Sequence, residues 1–169
     1  MKLYEFNGIK PTIADDVYIQ DGVRIEGDVE ISEGVSIWYN TTIRGDLNSI
    51  YIGKGSNVQE LSSLHVDDDY PLSIGDNVTI GHNCIVHGAT VGNDCLIGMG
   101  STLLNGCEIP DNCLVGAGSL VTQNAKFNPG MLIVGRPAKE VRPLKEEEKA
   151  YVKGNCANYA KLALKHKEK

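Results

Sequence analysis

An aliphatic residue recurs at every sixth position along most of the chain. Eighteen such positions are present: Ile13, Ile19, Ile25, Ile31, Ile37, Ile43, Ile52, Val58, Leu64, Ile74, Ile80, Val86, Val91, Ile97, Leu103, Ile109, Val115 and Val121. A small or β-branched residue stands four positions after most of them, as at Val17, Cys84 and Ser101, and both positions are expected to face inward. Glycine often follows the aliphatic residue, which suits short strands joined by tight turns, and a six-residue period matches no face of a helix. The pattern therefore predicts a solenoid of short strands.

This repeat resembles that of the hexapeptide-repeat proteins, whose fold is a triangular prism with three hexads in each coil. The resemblance implies an all-β solenoid, a left-handed parallel β-helix of about six coils, over residues 13–136. Residues 1–12 are interpreted as an N-terminal lead-in. Four of the five cysteines occupy the small inward position and are interpreted as core residues: Cys84, Cys95, Cys107 and Cys113.

A different pattern follows the last hexad. Pro137 and Pro143 are expected to end regular strands. Beyond them, apolar residues recur at helical spacing with charged residues on the other face, at Val152, Cys156, Tyr159 and Ala163. The spacing predicts a C-terminal α-helix within residues 144–169 that packs on the β-helix. His166, in the lysine-rich end of this segment, is expected to be solvated.

The six-residue spacing fails three times, and all three failures flank histidines. Three extra residues lie between Ile43 and Ile52, four lie between Leu64 and Ile74, and one is missing between Val86 and Val91. Interruptions of a solenoid usually form loops on its functional side. The histidines that they flank are His65, His82 and His87.

The grouping of hexads in threes predicts where these histidines lie. Arg44, His65 and His87 each follow the inward aliphatic residue of successive coils, so they are expected to form one outward column. The preceding hexads place three other side chains together on the neighbouring face: Gln59, Glu60 and His82. Outward groups on two faces of one prism cannot easily reach one metal ion, so a second subunit is expected to complete the site. A closed homotrimer is the simplest arrangement.

Three neutral imidazoles with an open fourth position are the ligand set of a catalytic zinc site. Zinc in such a site lowers the pKa of bound water to about 7 and produces hydroxide at neutral pH. The three histidines therefore predict a hydrolase or a hydratase, without selecting its substrate.

Five segments resemble the gamma-class carbonic anhydrase family, in the same order along the chain: SIWYNTTIRGDLNSIYIG, SNVQE, LHVD, VTIGHNCIVHG and IGMGS. The resemblance implies reversible hydration of carbon dioxide to bicarbonate by metal-bound hydroxide at a trimer interface. It implies that His65, His82 and His87 bind the metal, which would be zinc or, alternatively, iron(II) or cobalt(II). It also implies roles for further residues: Arg44 and Asp46 at the interface in an ion pair between chains, a hydrogen bond from Gln59 to the hydroxide or bicarbonate, Glu60 beside that glutamine, and Tyr159 near the site.

The chain departs from the most active members of that family. They carry an extended acidic loop, whereas the insert here is only VDDDYPLS. Leu47 follows the RGD segment where they have Glu, and Glu60 replaces the usual Asp. Three acidic residues of the insert are interpreted as a solvated turn rather than proton carriers: Asp67, Asp68 and Asp69. These departures bear on turnover and not on metal binding.

Three alternative functions remain open at this point. One is a hexapeptide-repeat acyltransferase that uses acyl-CoA and one histidine as general base. Another is a metal-binding family member with little or no hydration activity. A third is metal-dependent hydrolysis of an ester or a thioester, because zinc hydroxide does not by itself exclude such substrates.

Net charge, hydropathy and cysteine spacing exclude several classes of partner and environment for the protein. A net charge of −6 and a pI near 5.2 argue against a nucleic-acid partner. No window approaches the roughly 18 apolar residues of a membrane span. The cysteines form no C-x-x-C pair, which favours reduced thiols. A cytoplasmic enzyme with a small-molecule substrate, no nucleic-acid partner and no membrane partner is expected.

Overall fold

The computed structural model describes residues 2–168, which form nineteen short strands and one helix. Met1 and Lys169, at the outer ends of the predicted lead-in and helical segments, lie outside the described residues. The elements are β1 (Lys2–Tyr4), β2 (Thr12–Ile13), β3 (Tyr18–Ile19), β4 (Arg24–Ile31), β5 (Ser36–Ile37), β6 (Thr42–Ile52), β7 (Asn57–Val58), β8 (Ser63–His65), β9 (Leu72–Ile74), β10 (Thr79–Ile80), β11 (Ile85–His87), β12 (Thr90–Val91), β13 (Leu96–Ile97), β14 (Thr102–Leu103), β15 (Glu108–Ile109), β16 (Leu114–Val115), β17 (Leu120–Val121), β18 (Met131–Gly135), β19 (Ala138–Pro143) and α1 (Glu146–Lys167).

Parallel pairing between successive coils builds three faces. The helix face consists of β3, β5, β7, β10, β13, β16 and β18. The histidine-pair face consists of β1, the first halves of β4 and β6, β8, β11, β14 and β17. The third face consists of β2, the second halves of β4 and β6, β9, β12 and β15. This architecture confirms the predicted left-handed β-helix with a C-terminal helix.

Additional strands lengthen the solenoid at both ends, so it has about seven turns rather than six. β1 lies in the segment interpreted as a lead-in and pairs in parallel with β4. At the other end, β18 extends the helix face. β19 then returns antiparallel to β18, a hairpin that the hexad pattern did not predict.

The core is a column of aliphatic side chains inside the prism. Ile43, Leu64 and Val86 stack in register and are almost completely buried. The four inward cysteines are fully buried, which confirms that they pack in the core. Burial raises the pKa of Cys95 and Cys107 to about 12, so these thiols stay protonated at neutral pH.

The helix α1 packs against the helix face. It buries Val152, Cys156 and Ala163, and Cys156 Sγ lies 2.9 Å from the carbonyl oxygen of Gly55. The expectation that His166 is solvated was wrong. Its ring packs perpendicular to that of Trp38, with centroids 5.5 Å apart, because the last turn of the helix reaches the aromatic cluster on this face. Within residues 2–168, no helix combines the length and apolarity needed to cross a membrane.

An ion pair fastens the first turn of α1 to β19. Glu148 accepts two hydrogen bonds from the guanidinium of Arg142, both 2.7 Å long, and one from the backbone N–H of Lys145. These bonds, with that of Arg142 first among them, lower the pKa of Glu148 from 4.5 to about 2. The carboxylate therefore stabilises the helix start only while it is ionised.

Glu148→Gln is expected to lower the free energy of unfolding at pH 7. Because the pKa of Glu148 is depressed in the folded state, its contribution is complete above its ordinary pKa and disappears as the pH falls to about 2. The difference between wild type and variant should therefore shrink between those pH values in denaturant titrations. Glu147→Gln is the matched control, since Glu147 is exposed in the same helical turn. A deficit that persists unchanged at pH 2 would contradict this account.

Candidate metal centre

All three breaks in the hexad repeat lie at one corner of the prism, between the histidine-pair face and the third face. The first break is absorbed within the continuous strand β6, and the second forms the insert between β8 and β9. The two insertions touch, because Asn48 Nδ2 donates a hydrogen bond to the carbonyl oxygen of Asp68 at 2.8 Å. The interruptions thus form one connected structure beside the histidines.

His65 and His87 occupy the predicted column. Arg44 pairs in register with His65, and His65 pairs in register with His87. Both imidazoles point outward and are partly buried. His65 Nδ1 lies 3.0 Å from His87 Nε2.

Each of these histidines is held at its other ring nitrogen. His65 Nε2 lies 2.9 Å from Asp46 Oδ1, and His87 Nδ1 lies 2.5 Å from Asn105 Oδ1. Carboxylate and amide oxygens only accept hydrogen bonds, so both of these ring nitrogens carry protons. In the neutral rings, His65 Nδ1 and His87 Nε2 are therefore the nitrogens with free lone pairs.

The two free nitrogens fit a metal ion. Lone pairs 3.0 Å apart repel each other unless a cation, either a proton or a metal ion, lies between them. Two imidazoles bound to tetrahedral zinc at 2.0–2.1 Å place their nitrogens about 3.3 Å apart. A carboxylate or amide partner on the second ring nitrogen is also the usual support for a metal-binding histidine. The pair therefore has the donor type, the separation and the support of two zinc ligands.

Asp46 is itself fixed by Arg44, which donates a hydrogen bond to its Oδ2. Burial tends to raise the pKa of Asp46, but the hydrogen bonds with His65 and then Arg44 outweigh it and leave that pKa below its ordinary value. Asp46 therefore stays ionised and acceptor-only at neutral pH, which maintains the proton on His65 Nε2.

His82 lies apart from this pair, in the turn between β10 and β11. Its Nδ1 is 2.7 Å from Glu60 Oε2 of the preceding coil. That contact lacks hydrogen-bond geometry, so the buried Oε2 atom has no directed donor within the described chain. In residues 2–168, no three His, Cys, Asp or Glu side chains converge closely enough to hold a metal ion. One chain thus supplies two adjacent imidazoles on one face and a third imidazole at another corner.

Gln59 and Tyr159 lie with His82 rather than with the histidine pair. Together they line a groove of about 340 Å³ between the helix face and α1. Gln59 is buried, and its Nε2 donates a hydrogen bond to Asn57 Oδ1 at 3.2 Å. Burial, followed by the charge of Glu60, raises the pKa of Tyr159, which is consistent with a position near that carboxylate. The sequence-predicted residues therefore form two half-sites.

A second groove, of about 480 Å³, runs along the histidine-pair face. It begins at His65 and His87 and extends past Arg44 toward the N-terminal coil, where Arg24 and Glu26 line it. The open space beside the histidine pair is therefore lined by two arginines and a glutamate.

Known proteins resemble this chain over most of its length. Residues 10–45 match the family model described as bacterial transferase hexapeptide (six repeats), and residues 71–105 and 89–123 match the hexapeptide repeat of succinyl-transferase. The protein named carbonic anhydrase of Geobacillus kaustophilus is 47% identical over 86% of this chain and 80% of its own length. Protein YrdA of Escherichia coli is 47% identical over 94% of this chain and 90% of its own length. Gamma carbonic anhydrase 2, mitochondrial, of Arabidopsis thaliana is 41% identical, and the chain spans 58% of its length.

This chain belongs to the gamma-carbonic-anhydrase-like family of hexapeptide-repeat proteins. A solved hexapeptide transferase family protein from Anaplasma phagocytophilum matches this member of the family with a TM-score of 0.92, 38% identity and 95% coverage of both chains. An acetyltransferase of Vibrio cholerae complexed with acetyl coenzyme A matches with a TM-score of 0.59 and 21% identity, covering 69% of this chain and 72% of that chain. The latter likeness concerns the fold alone.

Reasoning from the sequence missed Asn105 of this gamma-carbonic-anhydrase-like protein and did not predict its contact with Asp67. Asn105 holds His87, and Asp67 Oδ2 accepts a hydrogen bond from Asn105 Nδ2 at 2.9 Å. The three aspartates do form a turn with Asp68 and Asp69 exposed, as expected, but Asp67 is partly buried and bonded to Asn105, because the insert folds back onto the next coil. The one available signal was the position of Asn105 two residues after Leu103, in the coil stacked on that of His87.

The turn beside Glu60 carries an unusual backbone conformation. Leu61 has φ of +62°, whereas the equivalent turns of other coils use residues that tolerate this region: Asn40, Asn83, Gly100 and Gly118. The left-handed region costs a residue such as leucine roughly 1–2 kcal/mol. Leu61 is also 61% exposed, so contacts within the chain offset little of that cost.

Leu61→Asn is expected to raise the free energy of unfolding by about 1 kcal/mol, because asparagine adopts this conformation more readily. Urea unfolding measures the change. Leu61→Ala is the matched control, since alanine removes the exposed side chain but retains the backbone strain. A lower stability of the asparagine variant would contradict the prediction and indicate that contacts of Leu61 outweigh the strain.

Proposed function

We propose that this protein binds a divalent metal ion between subunits of a homotrimer and reversibly hydrates carbon dioxide to bicarbonate. Zinc is the proposed ion, with iron(II) or cobalt(II) as alternatives. The observation that carries the proposal is the pair of facing lone-pair nitrogens, His65 Nδ1 and His87 Nε2. Relatives named carbonic anhydrase support a carbonic-anhydrase-like function.

The proposed third ligand is His82 of a neighbouring subunit. Its ring lies at a different corner from the histidine pair, and 43% of its side chain is exposed. Glu60 approaches Nδ1, so Nε2 is the nitrogen available to a metal. In a three-fold ring, one contact between unlike faces repeats three times, and each contact would join a histidine pair to a His82.

Bound by these three imidazoles, a metal ion would supply Lewis-acid activation of water for attack on carbon dioxide. The proposed role of Gln59 is to orient the reacting water or bicarbonate, and its amide group is already fixed by Asn57. Glu60 would lie beside His82 Nδ1 as its ionic partner. Arg44 and Asp46 would fix His65, and Tyr159 would border the site beside Glu60.

Low turnover is compatible with this arrangement. Hydration requires a group that carries protons to solvent in each cycle. In the short insert, one Asp67 oxygen is already bonded to Asn105, so that residue is poorly placed as a carrier. Asp68 and Asp69 remain exposed. The same arrangement of residues therefore also fits a protein that binds metal but hydrates carbon dioxide slowly.

Acyl transfer is less well supported by the site. A general base needs a ring nitrogen that is free to take a proton from the substrate. The free lone pairs of His65 Nδ1 and His87 Nε2 face each other 3.0 Å apart rather than a substrate, so the pair is poorly placed as a general base. A calorimetric titration with coenzyme A would reveal the binding that an acyltransferase requires.

Mixing two inactive variants tests the proposed intersubunit site. His82→Ala and His65→Ala each remove one ligand from every site, so each alone is expected to bind little zinc and to lack hydration activity. After the two variants are unfolded together and refolded as mixed trimers, about a quarter of the sites should contain an intact pair from one chain and an intact His82 from the next. Zinc content by elemental analysis and carbon dioxide hydration by stopped-flow should both recover to about that fraction.

Mixtures of His65→Ala with His87→Ala serve as the control. Both substitutions damage the same half-site, so no combination of chains restores it. Recovery in this control, or no recovery in the first mixture despite trimer formation, would refute the intersubunit arrangement. Wild type without bound zinc would refute the metal site itself.

A further inference from the structure

A hydrogen-bonded chain runs from the insert to the histidine pair. Asp67 Oδ2 accepts from Asn105 Nδ2 at 2.9 Å, and Asn105 Oδ1 lies 2.5 Å from His87 Nδ1. His87 Nε2 then faces His65 Nδ1 at 3.0 Å. The chain thus connects an acidic side chain of the repeat insertion to the nitrogen proposed to bind the metal.

The carboxylate of Asp67, at one end of this hydrogen-bonded series, determines which atoms donate and which accept along it. An ionised carboxylate can only accept, so Asn105 must turn its NH₂ group toward Asp67. Its carbonyl oxygen then faces His87, whose Nδ1 must donate. The lone pair of His87 is consequently left on Nε2, which points at His65. If Asn105 were turned over, its NH₂ group would favour the opposite tautomer, with the proton on Nε2.

The insert that carries Asp67 is itself held in place. Asp67 and Tyr70 exchange two backbone hydrogen bonds, of 3.2 and 3.0 Å. Tyr70 packs against Gly88 and Gly106, the residues that follow His87 and Asn105. A Cβ on either glycine would lie 2.7–2.8 Å from Tyr70 atoms. The four extra residues therefore fit closely over the turn that presents Asn105.

We infer that Asn105 is a positioning residue that holds His87 in its metal-binding tautomer, and that Asp67 sets the orientation of Asn105. The inference rests on the proposed function, because the tautomer matters only if His87 binds a metal ion. It gives His87 the same kind of support that Asp46 gives His65 directly, with one amide interposed.

Zinc affinity, measured by competition with a chromophoric chelator, tests the inference. Asn105→Leu has a similar shape but cannot accept the bond from His87, and is expected to weaken zinc binding about 10–100-fold. In Asp67→Asn, either side of the Asn105 amide can face position 67, so its oxygen is no longer held toward His87. This variant should also bind zinc more weakly. Asp69→Asn, which makes the same charge change at an exposed position of the insert, should bind like wild type. Urea unfolding of each variant verifies that the fold is retained.

The double variant Asp67→Asn with Asn105→Asp supplies the decisive comparison. It exchanges the two partners, so an acceptor-only carboxylate faces His87 and the amide at position 67 donates to it. Zinc affinity should return to within a few-fold of wild type, whereas a merely structural role for either residue predicts a further loss. Failure of this rescue in a folded double variant would overturn the inference.

Long-range ¹H–¹⁵N spectra of the histidine rings provide a readout that is independent of activity. Zinc-free wild type is expected to show His87 protonated at Nδ1, and Asn105→Leu should lose that preference. An unchanged tautomer together with unchanged zinc affinity would overturn the inference while leaving the metal site intact. Absence of zinc binding by wild type would instead refute the proposed function, and the inference with it.

Discussion

Parallel stacking of coils in register is the constraint on which the rest of this structure depends. Ile43, Leu64 and Val86 lie one above another inside the prism, where their burial removes apolar surface from water. Because side chains alternate across a strand, the same register turns the following residues outward, including His65 and His87. A slip of one residue would bury the imidazoles and expose the aliphatic side chains. Core burial thus determines where the candidate metal ligands stand.

Two carboxylates determine which ring nitrogens of His65 and His87 carry protons. Asp46 acts on His65 directly, and Asp67 acts on His87 through Asn105. Both carboxylates belong to interruptions of the hexad repeat, where the chain leaves the regular path and can reach back to the histidines. The interruptions therefore do more than join two faces. They supply acceptor-only groups that leave two lone pairs facing each other, an arrangement that favours a bound cation.

Stacking of the coils also keeps His82 apart from the histidine pair of the same chain. The faces of a prism diverge, so side chains on the histidine-pair face and at the corner of His82 cannot turn toward one metal ion without breaking backbone pairing. The corner of His82 also carries the strained, exposed Leu61 and an open groove beneath α1. A symmetric ring of subunits would bring the two half-sites together without distorting the coils of either subunit. We propose a trimer for this reason.

The six-residue period by itself predicted short strands and inward cysteines. The resemblance to hexapeptide-repeat proteins, with three hexads in each coil, added the parallel solenoid, the column of Arg44, His65 and His87, and the separation of His82 from it. These features follow from counting, because each hexad occupies one side of a regular coil and neighbouring coils repeat it. The tertiary structure alone decided that Asn105 and Asp67 support His87, that His166 packs on Trp38, and that the chain forms the terminal strands β1 and β19. Those contacts join irregular turns or chain ends that are distant in sequence, where no period specifies the direction of a side chain. Their partners are selected only when the coils have stacked and the helix has packed on its face.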